Sequence, residues 1–359
     1  MGVYLFLFLL TLFLYYYRRN SYCIHRNNLC KIDLDWLVIL GIICVIIIGL
    51  RHYDIGIDTS GYYDNYKTYS NTSFSSVLKD IDISNSEFGF AFINILFNKL
   101  SFSWNAFCIV LATLYIYPIF KLIQNKSANI YFSILMFLLC GSFFFSMSTI
   151  RQSVAIGLTI IAYLLYEKKI YWGLLFLPLA VTIHNSAIVA IIPYILMLLP
   201  LNKKSFWLWL IIAGGIIVFF KDFLQSVFMS ALEASGREYN EVDTGGNLQE
   251  LFFILTYILP YLISSNLDAF LKNNKFFIIS LLLSLIFLPV FSINPAFNRL
   301  YFYFSIYLVV LIPNIFSSLP KYNTIRNIGE LSYILAYLLT LGYYLNPNVH
   351  IIPYKFFWE

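Results

Sequence analysis

Apolar residues in this chain come in long blocks rather than in alternation or in narrow helical stripes. The blocks fall near 2–17, 35–50, 103–123, 128–146, 152–167, 170–184, 186–200, 205–221, 249–265, 276–291, 300–318 and 328–345, separated by short polar stretches. A helix needs roughly 20 apolar residues to cross a bilayer, so the pattern predicts an all-α polytopic membrane protein with about 12 transmembrane helices. No repeat, low-complexity tract or linker interrupts the blocks, and residues 1–359 read as a single integral membrane domain.

Composition carries the same message. The 359 residues are 60% hydrophobic and 11% charged, against roughly 25% charged in an average soluble domain, and mean hydropathy is +0.77. A soluble fold is excluded, and with it a nucleic-acid-binding role. The five cysteines form no CxxC pair and three sit inside apolar blocks, so neither a metal site nor a disulfide framework is implied.

Charge then orients the blocks. The first is followed, not preceded, by Arg18 and Arg19, the reverse of a secretory signal peptide, and reads as an uncleaved helix with its N-terminus outside. Threading from there puts the loops around 18–34, 121–127, 167–170, 200–205, 266–275 and 317–330 inside, where they hold 14 of the 23 Lys and Arg. This is the positive-inside bias. Two larger loops remain on the outer, periplasmic side. The first, 51–102, ends in an amphipathic stretch that lies along the interface or re-enters. The second, 222–248, is acidic and glycine-bearing and reads as a flap.

An ionisable residue at membrane depth costs about 2.5–3.5 kcal/mol on insertion scales, so those that persist are candidates for function. Arg51 follows the second block and precedes an acid- and tyrosine-rich run with Asp58, Tyr62 and Tyr66, the kind of surface on which sugar rings stack and hydroxyls donate. Its plainer reading is a polar exit loop. Arg151 and Gln152 open a helix at an outer turn, a favourable place for phosphate or for a lipid-facing arginine. His184 interrupts an apolar hairpin, as a helix cap or as a base, since imidazole suits proton transfer at neutral pH. Arg299 enters a late span beside Tyr301 and Tyr303, as an interface anchor or a ligand, and Arg237 lies on the acidic flap. Arg51, Arg151, Arg299 and Arg237 all fall on the side that the positive-inside bias disfavours. An anionic ligand anchored in the outer leaflet, such as a lipid-linked diphosphate, accounts for them.

With these residues assembled, the chain resembles the EpsG and Wzy-type polymerases of bacterial surface polysaccharides. The matching pieces occur in family order: an R-x-x-x-x-G-x-D-x-x-x-Y stretch from Arg51 through Asp58 to Tyr62, Glu87 before an apolar helix, Ile150-Arg151-Gln152 with Ala155, and His184-x-Ser186-Ala187. Arg299 completes the pattern, and the stretch holds a second acid, Asp54, able to take the motif's acidic place.

The resemblance implies a helical fold similar to lipid-linked-sugar ligases and GT-C type B glycosyltransferases. It implies polymerisation of undecaprenyl-diphosphate-linked repeat units at the outer face of the bacterial inner membrane, making O-antigen, capsule or exopolysaccharide without metal or cofactor. A flippase and a chain-length regulator of the same pathway are the implied partners. In that chemistry Arg51, Arg151 and Arg299 stabilise the departing diphosphate and His184 or Asp58 serves as base. Gln152, Tyr62, Tyr66, Glu87, Arg237 and Tyr303 complete the substrate-binding set. The competing reading is a transporter or flippase of a lipid-linked saccharide, which would place cationic residues mid-span and toward both leaflets.

Overall fold

The computed structural model describes residues 2–18, 31–69, 87–234, 247–291, 299–319, 324–344 and 350–359. Arg237, residues 235–246 of the 222–248 flap and the turn residue Pro295 lie outside the described residues. Among the described residues all regular structure is helical, apart from one isolated antiparallel bridge between Arg51 and Phe356. The chain divides into two compact units, Met1–Ile188 with Glu330–Glu359, and Val189–Gly329.

The first unit begins with α1 (Gly2–Arg18) and α2 (Lys31–Gly49), followed by α3 (Thr59–Thr68) and α4 (Phe88–Lys99). The long α5 (Trp104–Lys126) starts where Ser103 accepts a hydrogen bond from the Ala106 amide. Next come α6 (Ile130–Leu139) and α7 (Ser142–Ser148), bent 47° apart. The apolar block at 128–146 is thus not one straight helix, because Gly141 takes a left-handed φ of 78° between them. A single residue, Thr149, turns the chain into α8 (Ile150–Glu167). A 3-10 turn (Tyr171–Leu175) leads to α9 (Phe176–Ile183), which stops at His184.

Polar contacts sort to the two ends of this unit. At one end Arg18 pairs with Asp33 at 2.9 Å, Tyr131 donates to the same carboxylate at 2.8 Å, and Lys126 pairs with Glu167. The last contact joins the C-termini of α5 and α8, so these helices run parallel. Their opposite ends carry Arg51, Arg151 and His184, described below. Between the ends the packing is apolar and close: a Cβ on Gly157 of α8 would collide with the Leu114 carbonyl oxygen of α5, the small-residue contact that lets membrane helices approach.

The second unit starts within a 3-10 segment (Asn185–Ile191) and continues through α10 (Ile192–Leu196) and α11 (Phe206–Ala234). Helix continues past the expected span end at 221, since 222–234 contains neither Gly nor Pro. Then follow α12 (Asn247–Ile263) and α13 (Leu267–Phe291). A 3-10 turn (Arg299–Tyr301) leads into α14 (Phe302–Ser305), and α15 (Leu308–Ser317) follows. The helix α16 (Thr324–Tyr344) begins in this unit and ends in the first. The core of the second unit includes the stacked rings of Phe206 and Tyr257, 4.5 Å apart, and a buried amide pair in which Asn314 donates to Asn274 at 2.8 Å. On α11 the large apolar side chains Ile211, Val218 and Phe219 are exposed, as lipid-facing side chains are.

Among the described residues four helices are long and apolar enough to cross a bilayer, Lys31–Gly49, Trp104–Lys126, Phe206–Val227 and Leu267–Leu288, and two bent pairs raise the number to six if each is one span. The apolar blocks near 2–17, 170–184, 186–200 and 249–265 fold as shorter helices. In the hairpin 171–196 each arm mixes 3-10 and α turns and falls short of the roughly 20 helical residues a crossing needs. Block counting measured apolar composition, whereas a crossing also depends on where the helix breaks.

The α5–α8 contact gives the first prediction. Gly157→Ile, which must force the two helices apart, is expected to destabilise the protein by about 2 kcal/mol or more. Thermal unfolding in detergent measures it, and an unchanged midpoint would contradict the packing described.

Candidate functional site

The site grows from the loop that leaves α2. Arg51 is 2% exposed, and its guanidinium is bound by backbone rather than facing open space. Nε donates to the Ile55 carbonyl at 3.3 Å, Nη2 to the Met147 carbonyl at 3.1 Å, and Nη1 to the Ile48 carbonyl. Met147 lies in the last turn of α7, where carbonyls lose their helical partners, and Thr59 Oγ1 donates to the same oxygen at 2.9 Å. Gly56, at a φ of 95°, fits against that carbonyl where any Cβ would collide. The C-terminal segment closes the other side: the amides of His52 and Gly56 donate to Lys355 and His350 carbonyls at 3.0 and 2.8 Å. The 51–58 loop is therefore clamped onto the α7–α8 turn, which sets the start of α3 beside the start of α8.

On α3, Tyr62 and Tyr66 are one turn apart and both point inward, but they meet different partners. The Tyr62 hydroxyl accepts from Arg151 Nε at 3.3 Å, and the guanidinium lies 5.2 Å from the Tyr62 ring and 5.9 Å from that of Phe90. Tyr66 instead donates to the Phe102 carbonyl at 2.8 Å and stacks on Phe107 at 4.9 Å. Burial pushes its phenol up to about 12, so it remains a donor there at neutral pH.

Glu87 immediately precedes α4, and Gly89 two residues later sits where a Cβ would collide with Thr182 of α9. That close approach carries the Glu87 carboxylate to the end of α9. One oxygen, Oε2, pairs with Arg151 Nη1, and the other, Oε1, lies 2.7 Å from His184 Nδ1. The side chains are 31% (Arg151), 11% (Glu87) and 23% (His184) exposed, so the cluster is sheltered but reachable. A carboxylate paired with guanidinium is ionised and accepts only, so Nδ1 is the donor, and in the neutral imidazole this leaves the lone pair on Nε2. Among the described residues neither His184 Nε2 nor Arg151 Nη2 has a hydrogen-bond partner. Asp58 stands at the N-cap position of α3 without a side-chain cap hydrogen bond, its carboxylate within electrostatic reach of Arg151.

Chain separations of 89, 64 and 97 residues are thus closed by Tyr62, Arg151, Glu87 and His184 in one cluster. Gln152, next to Arg151, is buried at 3% exposure. Arg51 belongs to the carbonyl clamp below the cluster. In the second unit, Arg299 opens its 3-10 turn half-buried, Tyr301 accepts from Gln249 at 3.2 Å and Tyr303 is buried. Phe90, the Gly89–Thr182 contact and the Met147 carbonyl were not singled out in the sequence, where each looks like ordinary apolar helix. Glu87 was singled out for sugars, but the chain pattern holds no sign that it would join a histidine to an arginine.

The architecture is that of a helical integral membrane protein carrying a partly sheltered carboxylate–guanidinium–imidazole cluster. The chain belongs to the EpsG family, whose family model matches residues 35–356. No curated protein and no solved structure matches it.

The clamp makes the second prediction. Arg51→Lys keeps the charge but cannot reach three carbonyls from one ammonium, and a loss of about 3 kcal/mol is expected, the cost of breaking a buried ionic arrangement. Unfolding midpoints of the purified variant check it. A wild-type midpoint would mean the three bonds do not hold the loop.

Proposed function

We propose that this protein is a polysaccharide polymerase, a membrane glycosyltransferase that joins undecaprenyl-diphosphate-linked repeat units at the outer face of the bacterial inner membrane. Family membership supports the general reading. The observation that carries the chemistry is the single Glu87 carboxylate holding His184 by one oxygen and Arg151 by the other.

In the proposed transfer, His184 Nε2 takes the proton from the acceptor hydroxyl of the incoming unit. The acceptor oxygen forms a bond to the anomeric carbon of the growing chain as the bond from that carbon to the lipid diphosphate breaks. The diphosphate leaves with the electron pair, and the open Nη2 edge of Arg151 meets its charge, a preorganised stabilisation that needs no metal or cofactor. Glu87 acts as a positioning residue that fixes the imidazole tautomer and the guanidinium direction. Tyr62 and Phe90 hold the guanidinium plane, and Gln152 borders the site. Asp58, at the N-cap of α3, remains the other candidate base.

Arg299, Tyr303 and Arg237 stay proposed contacts for the lipid-linked saccharide, and Tyr66 supports the loop that presents Tyr62. Arg51 serves the reaction through the backbone it holds. The partners we propose are a flippase that supplies the units and a chain-length regulator, with O-antigen, capsule and exopolysaccharide as the product classes.

The test is reconstitution. Purified protein in nanodiscs, given undecaprenyl-diphosphate-linked units and EDTA, is expected to give a ladder of lengths on a gel. Absence of a ladder, with units instead crossing the bilayer of liposomes, would make the protein a flippase. Within a working assay, Arg151→Lys is expected to lower the rate by about 10²-fold or more, because lysine cannot hold Glu87, Tyr62 and diphosphate together. His184→Ala and Glu87→Gln are each expected to cost about 10²-fold. Full activity in His184→Ala with none in Asp58→Asn, at equal protein abundance, would move the base to Asp58.

A further inference from the structure

Residues 350–359 form no helix, yet they are bonded to the end of α2 and to the loop that follows it. The Phe357 amide donates to the Leu50 carbonyl at 3.0 Å, and Arg51 and Phe356 form the antiparallel bridge. The His52 and Gly56 amides donate to the Lys355 and His350 carbonyls, and the Tyr354 hydroxyl donates to the Ile47 carbonyl at 2.9 Å. Leu50 is one residue past α2, a helix long and apolar enough to cross the bilayer. Paired backbones run about 4.8 Å apart, so this pairing holds Phe357 and Trp358 at the depth where α2 leaves the membrane. The two residues are 46% and 61% exposed, with the Trp358 ring stacked on Phe356 at 4.5 Å.

We propose that Phe357 and Trp358 form an anchor that seats in the headgroup–acyl boundary of the leaflet on the side of the cluster, and that this anchor holds the 51–58 loop at that depth. The partner is lipid rather than water or protein. Water would leave two large neighbouring rings uncovered, whereas aromatic side chains, tryptophan above all, belong at the membrane–water interface. The run Tyr354-Lys355-Phe356-Phe357-Trp358 also carries an exposed lysine. Lysine is depleted in protein–protein interfaces, but it can lay its apolar stem along lipid and reach the phosphates with its ammonium. Because the same segment supplies the acceptors for the His52 and Gly56 amides, fixing its depth fixes the loop that is clamped to the α7–α8 turn, and with it the level at which Arg151 emerges. The surface takes bulk lipid, and this inference does not depend on the transfer reaction.

The experiment uses the full chain in phosphatidylcholine nanodiscs. The chain has six tryptophans, so the emission of Trp358 is read as the difference between the wild type and Trp358→Phe. Lipid brominated near the headgroup end of its acyl chains is expected to lower this difference emission about twofold or more, and lipid brominated near the chain ends to lower it less, as for a ring at the boundary. Iodide in the water is expected to quench it little. Quenching by iodide without quenching by brominated lipid would place Trp358 in water, and quenching by neither would place it under another protein surface; either result overturns the anchor. Its hold on the loop is read by amide exchange over residues 52–56, which Phe357→Ser combined with Trp358→Ser is expected to speed about tenfold or more. If the double variant does not fold, Trp358→Ser alone gives the same reading. Exchange as slow as in the wild type would overturn the link between anchor and loop.

Discussion

A buried guanidinium bound to backbone is the constraint from which the rest of this site follows. A charge away from water is tolerable only when its hydrogen-bonding groups are satisfied, and Arg51 finds acceptors on either side of itself, at Ile48 and Ile55, and at Met147, 96 residues away. Because one planar fork binds all three, none can shift without releasing the others. The Met147 carbonyl lies at the end of α7, where the helix dipole is negative, so the cation sits on its favourable side. One residue, Thr149, separates α7 from α8, and the clamp therefore governs where Arg151 emerges. Glycine at 56 and threonine at 59 complete the fit.

Above the clamp a second shared group, the Glu87 carboxylate, links two further elements. Its two oxygens divide between the start of α8 and the end of α9. A carboxylate that contacted only Arg151 would leave the imidazole free to rotate and to exchange tautomers. One that contacted only His184 would lack the cation that keeps it ionised beside an apolar surface. Sharing it supplies both conditions, and the approach of Gly89 to Thr182 makes the sharing geometrically possible.

The helical class and the residues of the cluster were legible because burying charge in an apolar chain is costly and leaves a visible mark. Arg151 and His184 stood out against their neighbours for that reason, whereas Glu87 entered through the family resemblance. What could not be read was direction. Arg51 and Arg151 carry the same charge on the same side of the expected topology, yet one turns into carbonyls and the other toward a carboxylate and a phenol. Tyr62 and Tyr66 share a helix face and diverge in the same way. Those outcomes depend on which backbone carbonyl or ring lies within reach, a property of packing between segments that no local pattern encodes. Where the helices break was hidden for a related reason: hydropathy is additive along the chain, whereas the left-handed Gly141 and the 3-10 turns around His184 interrupt helices without changing it.

Charge balance links the resting cluster to the proposed transfer. With Glu87 ionised, Arg151 protonated and the imidazole neutral, the three groups sum to zero, which limits their cost beside the bilayer. The reaction then creates one charge of each sign, an imidazolium and a departing diphosphate. The first forms against the Glu87 oxygen already bonded to Nδ1, and the second forms against the guanidinium edge that Glu87 leaves open. Each developing charge meets an opposite one fixed in advance, so little reorganisation is needed as the bond breaks. A lysine at 151 would carry the same formal charge, but its mobile ammonium would collapse onto Glu87 and present no second edge. Arginine is required at 151 for the same planar geometry that makes it necessary at 51.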